Sequence, residues 1–242
     1  TIEYVKNNPI IPAEYPCVHL DTYSYCNARC IFCGYPGMKR AKGQMSRELL
    51  RHILEDIASW KKPMEEIVPI HYGELFLNPD WLYMLQCIQD ILPNTKIAIP
   101  TNGSVLTDDK IDQLVSIRTL NYISFSVYGY FDETYERLIG LNPDTIKRIE
   151  HAIVRIRQLR PDMRIEVGTT THPPFITEYE LGLFIQKWHP YARPHVLIGN
   201  SQVNAKFAKD YPSEIPCLSV FLSLMVLWDG RVSLCCYDPD GE

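Results

Sequence analysis

The sequence predicts an α/β fold, a partial (β/α)6 TIM-like barrel followed by a C-terminal β-hairpin, on three observations. Short β-rich runs alternate with stretches of helical periodicity. The helical stretches open on recognisable caps. After residue 199 this rhythm gives way to two apolar runs joined by Asp229-Gly230, a dipeptide that favours a tight hairpin turn.

The predicted strands run from Cys17 to Tyr23, Glu66 to Tyr72, Lys96 to Thr101, Tyr122 to Tyr128, Arg164 to Thr170 and His195 to Gly199. The first helix follows a Ser46 N-cap and carries Leu49, Leu50, Ile53, Leu54, Ile57 and Trp60 at helical spacing. Asn78-Pro79 reads as the N-cap and first turn of a second helix, with Leu82, Leu85, Ile88 and Leu92 facing the core. A third begins at Thr107 and buries Ile111, Leu114 and Val115. A fourth carries Ile146, Ile149, Ile153 and Ile156. The fifth opens on the capping box Thr177 to Glu180, ahead of Leu181, Phe184, Ile185 and Trp188. In such a fold ligands sit at the C-terminal ends of the strands.

A chain of 242 residues suits one sizeable core with an appendage, here 1–200 and 201–242. The net charge of -5 lacks the basic footprint that neutralises phosphates, so nucleic acid is not an expected partner. The longest apolar stretch, Ile215 to Trp228, is broken by Pro216, Ser219 and Ser223 and falls short of a bilayer span, so no membrane association is expected. Thr1 to Ile10 shows no signal peptide, the missing initiator Met points to an incomplete N-terminus, and the expected compartment is the cytoplasm.

Cys26, Cys30 and Cys33 lie just past the first predicted strand, at the end where a parallel barrel keeps its chemistry. Iron-sulfur clusters are normally held by four thiolates, so three cysteines grip three corners and leave one iron open to a ligand. The competing reading is a zinc site, which needs a fourth ligand such as His19 or His71.

With Phe32 before its last cysteine, the loop Cys26-Asn-Ala-Arg-Cys30-Ile-Phe-Cys33 resembles the Cys-x3-Cys-x-aromatic-Cys motif of the radical S-adenosylmethionine (radical SAM) superfamily. Tyr72-Gly73-Glu74 looks like that family's Gly-Gly-Glu motif, which holds the cofactor's amino group, with Tyr72 in place of the first Gly and Leu75 in place of the frequent Pro. Thr101-Asn102-Gly103, and Ser124 and Ser126, are similar to positions near the ribose and methionine carboxylate; Ser126, nearer its strand end, is preferred. Val196 to Gly199, centred on Ile198, resembles the strand whose backbone meets adenine. The resemblance implies a 4Fe-4S cluster and S-adenosylmethionine as cofactors, a flavodoxin- or ferredoxin-type electron donor, and hydrogen abstraction from a substrate carbon by a 5′-deoxyadenosyl radical. His71, Tyr128, Thr170 and His172 are candidates for positioning the substrate by location alone, with a structural role the competing reading for both histidines.

Cys217, twelve residues, Gly230, four residues and Cys235 resemble the opening of the SPASM or twitch extensions that carry auxiliary iron-sulfur clusters. Cys217 and Cys235 are the expected ligands; Cys236 faces the other way and is read as spare, and Cys17 and Cys87 as core residues. The family pattern continues with further cysteines where this chain stops at Glu242, so truncation is expected. Sixteen residues ahead of the first strand are too few for a leader-peptide-binding domain, which favours a small sugar- or cyclitol-like substrate over a ribosomal peptide. A reading from another class is a non-catalytic iron-sulfur electron carrier.

Overall fold

The computed structural model describes residues 17–170, 175–197, 222–233, 235 and 238–241. Strands β1 (Cys17–Leu20), β2 (Glu66–Val68), β3 (Lys96–Thr101), β4 (Leu120–Ser126), β5 (Arg164–Thr170), β6 (Arg193–Leu197), β7 (Ser223–Val226) and β8 (Val232–Ser233) form one sheet in the order β6-β5-β4-β3-β2-β1-β7-β8. All neighbours are parallel except β7 and β8. No pairing closes β6 onto β8 among the described residues, so the barrel is partial.

Helices α1 (Arg47–Ala58), α2 (Trp81–Ile91), α3 (Asp108–Val115), α4 (Asp132–Ile139), α5 (Asp144–Leu159) and α6 (Glu178–Trp188) fill the connections. The Ser46, Thr107 and Thr177 hydroxyls accept from Leu49, Lys110 and Glu180 N–H, as N-caps do. On α5, Ile146, Ile149, Ile153 and Ile156 are all buried, each worth about 1.5–3 kcal/mol of apolar transfer before entropy is charged.

The helix expectations need two corrections. The second helix begins at Trp81 because Asn78 closes an Asx-type turn instead, its side-chain oxygen accepting from Asp80 N–H at 2.9 Å. Glu180 does not reach back to complete a capping box; its carboxylate accepts from Tyr130 and Phe131 N–H and from the Thr134 hydroxyl, tying α6 to the loop after β4. Helix α4 was not foreseen.

The hairpin forms, with Met225 opposite Ser233, Val226 opposite Val232 and Gly230 at φ 87° in its turn. Its first strand also pairs in parallel with β1, Cys17 opposite Ser223, which widens the sheet. Cys217, Cys236, Ile198 and His172 lie outside the described residues. No helix of the described residues is long and apolar enough to cross a membrane.

Strand alternation sorts the sheet into two faces. Val18, Leu20, Ile97, Ile99, Ile123, Phe125, Ile165 and Val167 pack into the hydrophobic core. The opposite face carries His19, Pro100, Tyr122, Ser124, Ser126, Gly168, His195 and Ser223 into a cavity of about 490 Å³.

Candidate active site

The cavity is lined by the loops after β1, β2, β3 and β4 and by the inner face of the sheet. Cys26, Cys30, Cys33, Phe32, Gly73, Glu74, Asn102 and Ser126 all line it, so residues spread across a hundred positions of sequence meet at one place. His71 and Tyr128 line it too, whereas Thr170 is buried without doing so. Cys235 is exposed beyond β8 and is not part of this lining.

The cysteine loop is held from three sides. Arg29 and Ile31 N–H donate to the carbonyls of Ile139 and Leu138, so the loop caps the C-terminus of α4 and satisfies two of its orphan acceptors. Asn27 donates to the Ser104 hydroxyl at 2.8 Å and accepts from the Asn102 amide at 3.0 Å, linking the loop to the end of β3. The Phe32 ring lies against Tyr128, with centroids 4.4 Å apart. Tyr128 sits at φ 63°, a left-handed conformation that costs a bulky residue about 1–3 kcal/mol and is sustained by bonds around it, including its N–H to Gly168 O.

Gly73 brings the second loop against the first. A Cβ there would lie 1.7 Å from the carbonyl oxygen of Tyr23, so only glycine allows this approach, which Glu74 N–H extends by donating to Tyr25 O at 2.9 Å. Gly73→Ala is expected to force the two loops apart and cost about 3 kcal/mol. That corresponds to a fall in Tm of roughly 6–12 °C for a chain of this size. A thermal melt within about 2 °C of the parent would show that the contact is soft.

Glu74 is buried, and its carboxylate accepts from the Thr101 hydroxyl (2.8 Å), Asn102 N–H (2.8 Å) and Phe76 N–H (3.2 Å). Burial raises its pKa, opposed by those three bonds and by the charge of Lys110. A carboxylate offers about four acceptor positions, so one remains for a ligand. A cation entering the cavity would relieve the desolvation that burial imposes.

Burial also pushes the Cys26 thiol up to about 11 and raises Cys30 and Cys33. Thiolates form here only when a cation such as iron neutralises them. Donors are in place for them: the Asn102 amide stands 3.8 Å from Cys26 Sγ, and Tyr35 N–H donates to Cys33 Sγ at 3.4 Å. Three soft donors with amide hydrogens aimed at two of them fit a sulfur-bridged iron cluster. Among the described residues, no three His, Cys, Asp or Glu side chains gather around a single metal ion. His19 and His71, the expected fourth zinc ligands, line the cavity with rings 5.7 Å apart; burial, then the neighbouring His71, lowers His19 to about 4.

Sequence reasoning missed Asn27, which ties the cysteine loop to β3, and the partners of Asp21. The Asp21 carboxylate is fully buried after β1 and accepts from Arg40, from the Ser24 hydroxyl and from Tyr72 N–H. Neither carried a local signal, since an Asn in a cysteine-rich loop and an Asp after a strand are both common turn residues.

A tungsten-containing aldehyde ferredoxin oxidoreductase cofactor-modifying protein of Pyrococcus furiosus is 24% identical over 160 residues, 63% of this chain and 43% of its own length. An S-adenosyl-L-methionine-dependent 2-deoxy-scyllo-inosamine dehydrogenase of Niallia circulans is 23% identical over 140 residues, 56% of this chain and 55% of its own. The chain thus spans about half the length of these relatives. Streptococcus suis SuiB bound to the precursor peptide SuiA shares the fold at a TM-score of 0.66 and 12% identity, over 98% of this chain and 63% of SuiB. The radical SAM superfamily profile matches residues 20–180, from the end of β1 into α6. On that match, which takes in the cysteine loop and both faces of the sheet, the chain belongs to the radical SAM superfamily of enzymes, whose cofactors are a 4Fe-4S cluster and S-adenosylmethionine.

Proposed function

We propose that this enzyme cleaves S-adenosylmethionine reductively and abstracts hydrogen from a small sugar- or cyclitol-like substrate, with an auxiliary iron-sulfur cluster assisting oxidation or substrate binding. The observation that carries the reading is the meeting of the Cys26, Cys30 and Cys33 thiols with the buried Glu74 carboxylate in one cavity. Bound to the three thiolates, the cluster supplies an electron and an open iron for the sulfonium cofactor.

The chain's own residues bind and orient. Glu74 would hold the cofactor's ammonium and Asn102 and Ser126 its ribose and carboxylate, with Phe32 and Ile198 completing the set of residues that would bind it. Gly73 permits the close approach of two loops on which this arrangement depends. The volume of about 490 Å³ is in the range of small-molecule pockets, which disfavours a simple electron carrier. An external flavodoxin or ferredoxin is the electron donor. Cys217 and Cys235 would open the auxiliary cluster, with Cys235 exposed just past β8. On this reading residues 201–242 belong to an auxiliary-cluster region attached to a core of residues 1–200.

Anaerobic reconstitution with iron and sulfide, followed by dithionite and S-adenosylmethionine, is expected to release 5′-deoxyadenosine. Deuterated 2-deoxy-scyllo-inosamine should transfer its label into that product; transfer from a peptide instead would establish the peptide-modifying reading. Cys235→Ala is expected to stop oxidation of the cyclitol while 5′-deoxyadenosine still forms in excess of product. Equal loss of both would make the C-terminal cysteines structural.

A further inference from the structure

The inner face of the sheet carries a hydrogen-bonded set that cofactor binding does not use. We propose that His195 is the general base that removes the hydroxyl proton of an alcohol substrate, with Glu166 as its positioning residue. This deepens the reading above and rests on it.

Strand register places the groups. Ser126 on β4 stands opposite Gly168 on β5, which stands opposite His195 on β6. Neighbouring strands lie about 4.8 Å apart, so the backbones at Ser126 and His195 are separated by roughly 10 Å. Gly168 leaves that interval open: a Cβ there would meet only the Phe125 carbonyl oxygen, at 3.7 Å. All three residues line the cavity. The cofactor side of the cavity and His195 thus face each other across a space the size of one small ring.

The orientation of His195 follows from its partner. Nδ1 lies 2.8 Å from Glu166 Oε2, which also accepts from the Tyr122 hydroxyl at 2.8 Å. Glu166 Oε1 accepts from Arg164 at 2.7 and 3.1 Å, and Arg193 stands 3.5 Å from it. The Glu166 side chain is 1% exposed and does not line the cavity. Burial would raise its pKa, yet bonds from Arg164, His195 and Tyr122 hold it below the usual carboxylate value. An ionised carboxylate only accepts, so Nδ1 carries a proton, and in the neutral ring the lone pair is on Nε2. The His195 side chain is 46% exposed and lines the cavity.

Other charged groups around β6 are engaged elsewhere. On α6, packed against β6, Glu180 holds the loop after β4 and Lys187 pairs with Glu150. Across the cavity, burial and His71 lower His19 to about 4, so it is neutral near pH 7.

Hydrogen-atom abstraction from the carbinol carbon breaks its C–H bond, and the hydrogen goes to the 5′-deoxyadenosyl carbon. The hydroxyl on a carbon radical is far more acidic than in the parent alcohol, and its O–H proton passes to His195 Nε2, with the imidazolium stabilised by Glu166. One electron then leaves for an iron-sulfur acceptor and the C=O bond is complete. The substrate has lost one hydrogen atom, one proton and one electron.

The test uses oxidised, cluster-loaded protein labelled with 15N-histidine. The ring nitrogens of His195 are expected to show the Nδ1–H tautomer in the parent and a tautomer mixture in Glu166→Gln. With 2-deoxy-scyllo-inosamine as probe, His195→Ala is expected to lower kcat about 10²- to 10⁴-fold, the range of a lost general base. KM should stay within about threefold, and added imidazole should restore part of the rate. An Nε2–H tautomer in the parent overturns the proposal. So does a kcat in His195→Ala within about threefold of the parent, or parallel loss of uncoupled 5′-deoxyadenosine formation, which would mean damage to the cofactor site. If the parent does not oxidise the probe, the substrate reading fails, and the tautomer alone decides this proposal: Nδ1–H supports it and Nε2–H sinks it.

Discussion

Cys30→Ala is expected to reduce 5′-deoxyadenosine formation to the level of iron-free protein. Two thiolates hold two corners of a four-iron cluster, and the remaining open irons are exposed to solvent and lost. Cys30 is the middle cysteine of the loop and packs against the core and the end of α4, where its sulfur lies 3.9 Å from Ile139 O. Cys17 is at the opposite end of β1 and Cys87 is buried in α2, so neither is placed to replace it. Iron content and the absorbance of the reconstituted protein should fall with activity, and Cys87→Ala, outside the cavity, serves as the control. A Cys30→Ala protein that retains cluster and cleavage would remove the basis of the assignment.

The second large effect is on stability. Arg40→Ala is expected to destabilise the protein by about 3–5 kcal/mol, because it strands a buried carboxylate. The Arg40 and Asp21 side chains are 3% and 0% exposed and form an ion pair at 2.5 Å. Arg40 also donates to the Ser24 hydroxyl and, through Nε, to Pro239 O, while the backbone N–H groups of Lys39 and Arg40 donate to the Asp240 carboxylate. One guanidinium therefore joins the end of β1, the segment after the cysteine loop and the segment that follows the hairpin. Trp228 reinforces the same contact by donating from its indole nitrogen to Ala41 O and by stacking over Gly43, where a Cβ would lie 2.5 Å from the ring.

The corresponding fall in Tm is roughly 6–20 °C for a domain of this length. Replacing both partners, as in Asp21→Leu with Arg40→Met, is expected to recover much of the loss, since the desolvated charge is then gone. Thermal unfolding of the two single variants and the double variant checks this. A double variant no more stable than Arg40→Ala would mean that packing, and not the stranded charge, sets the cost.

The parts of this protein that could be read from its residues are those with local periodicity or spacing. Three cysteines within eight positions, hydroxyl caps at Ser46, Thr107 and Thr177, and isoleucines recurring along α5 all obey rules that act over a few residues. Helix α4 escaped because Asp132–Ile139 offers barely two turns, with Thr134, Tyr135, Leu138 and Ile139 turned inward, and because its N-cap Phe131 makes no capping bond. The second helix was begun too early for a related reason, since Asn at a helix start and Asn in a turn look alike until the backbone is seen.

The sequence by itself determined the α/β class, the cysteine loop and its family resemblance, the strand-end positions of Glu74, Asn102 and Ser126, and the turn at Asp229-Gly230. Only the tertiary structure decided that Gly73 must be glycine, that Arg40 reaches Asp21 and Pro239, and that His195 meets Glu166 and, through it, Tyr122. Those partners lie 19 to 199 residues apart, and His195 and Tyr122 reach Glu166 from strands 29 and 44 residues away. Hydrogen bonds and steric contact fall off within a few ångströms of space and carry no mark along the chain, so such pairings exist only once the sheet has set its register.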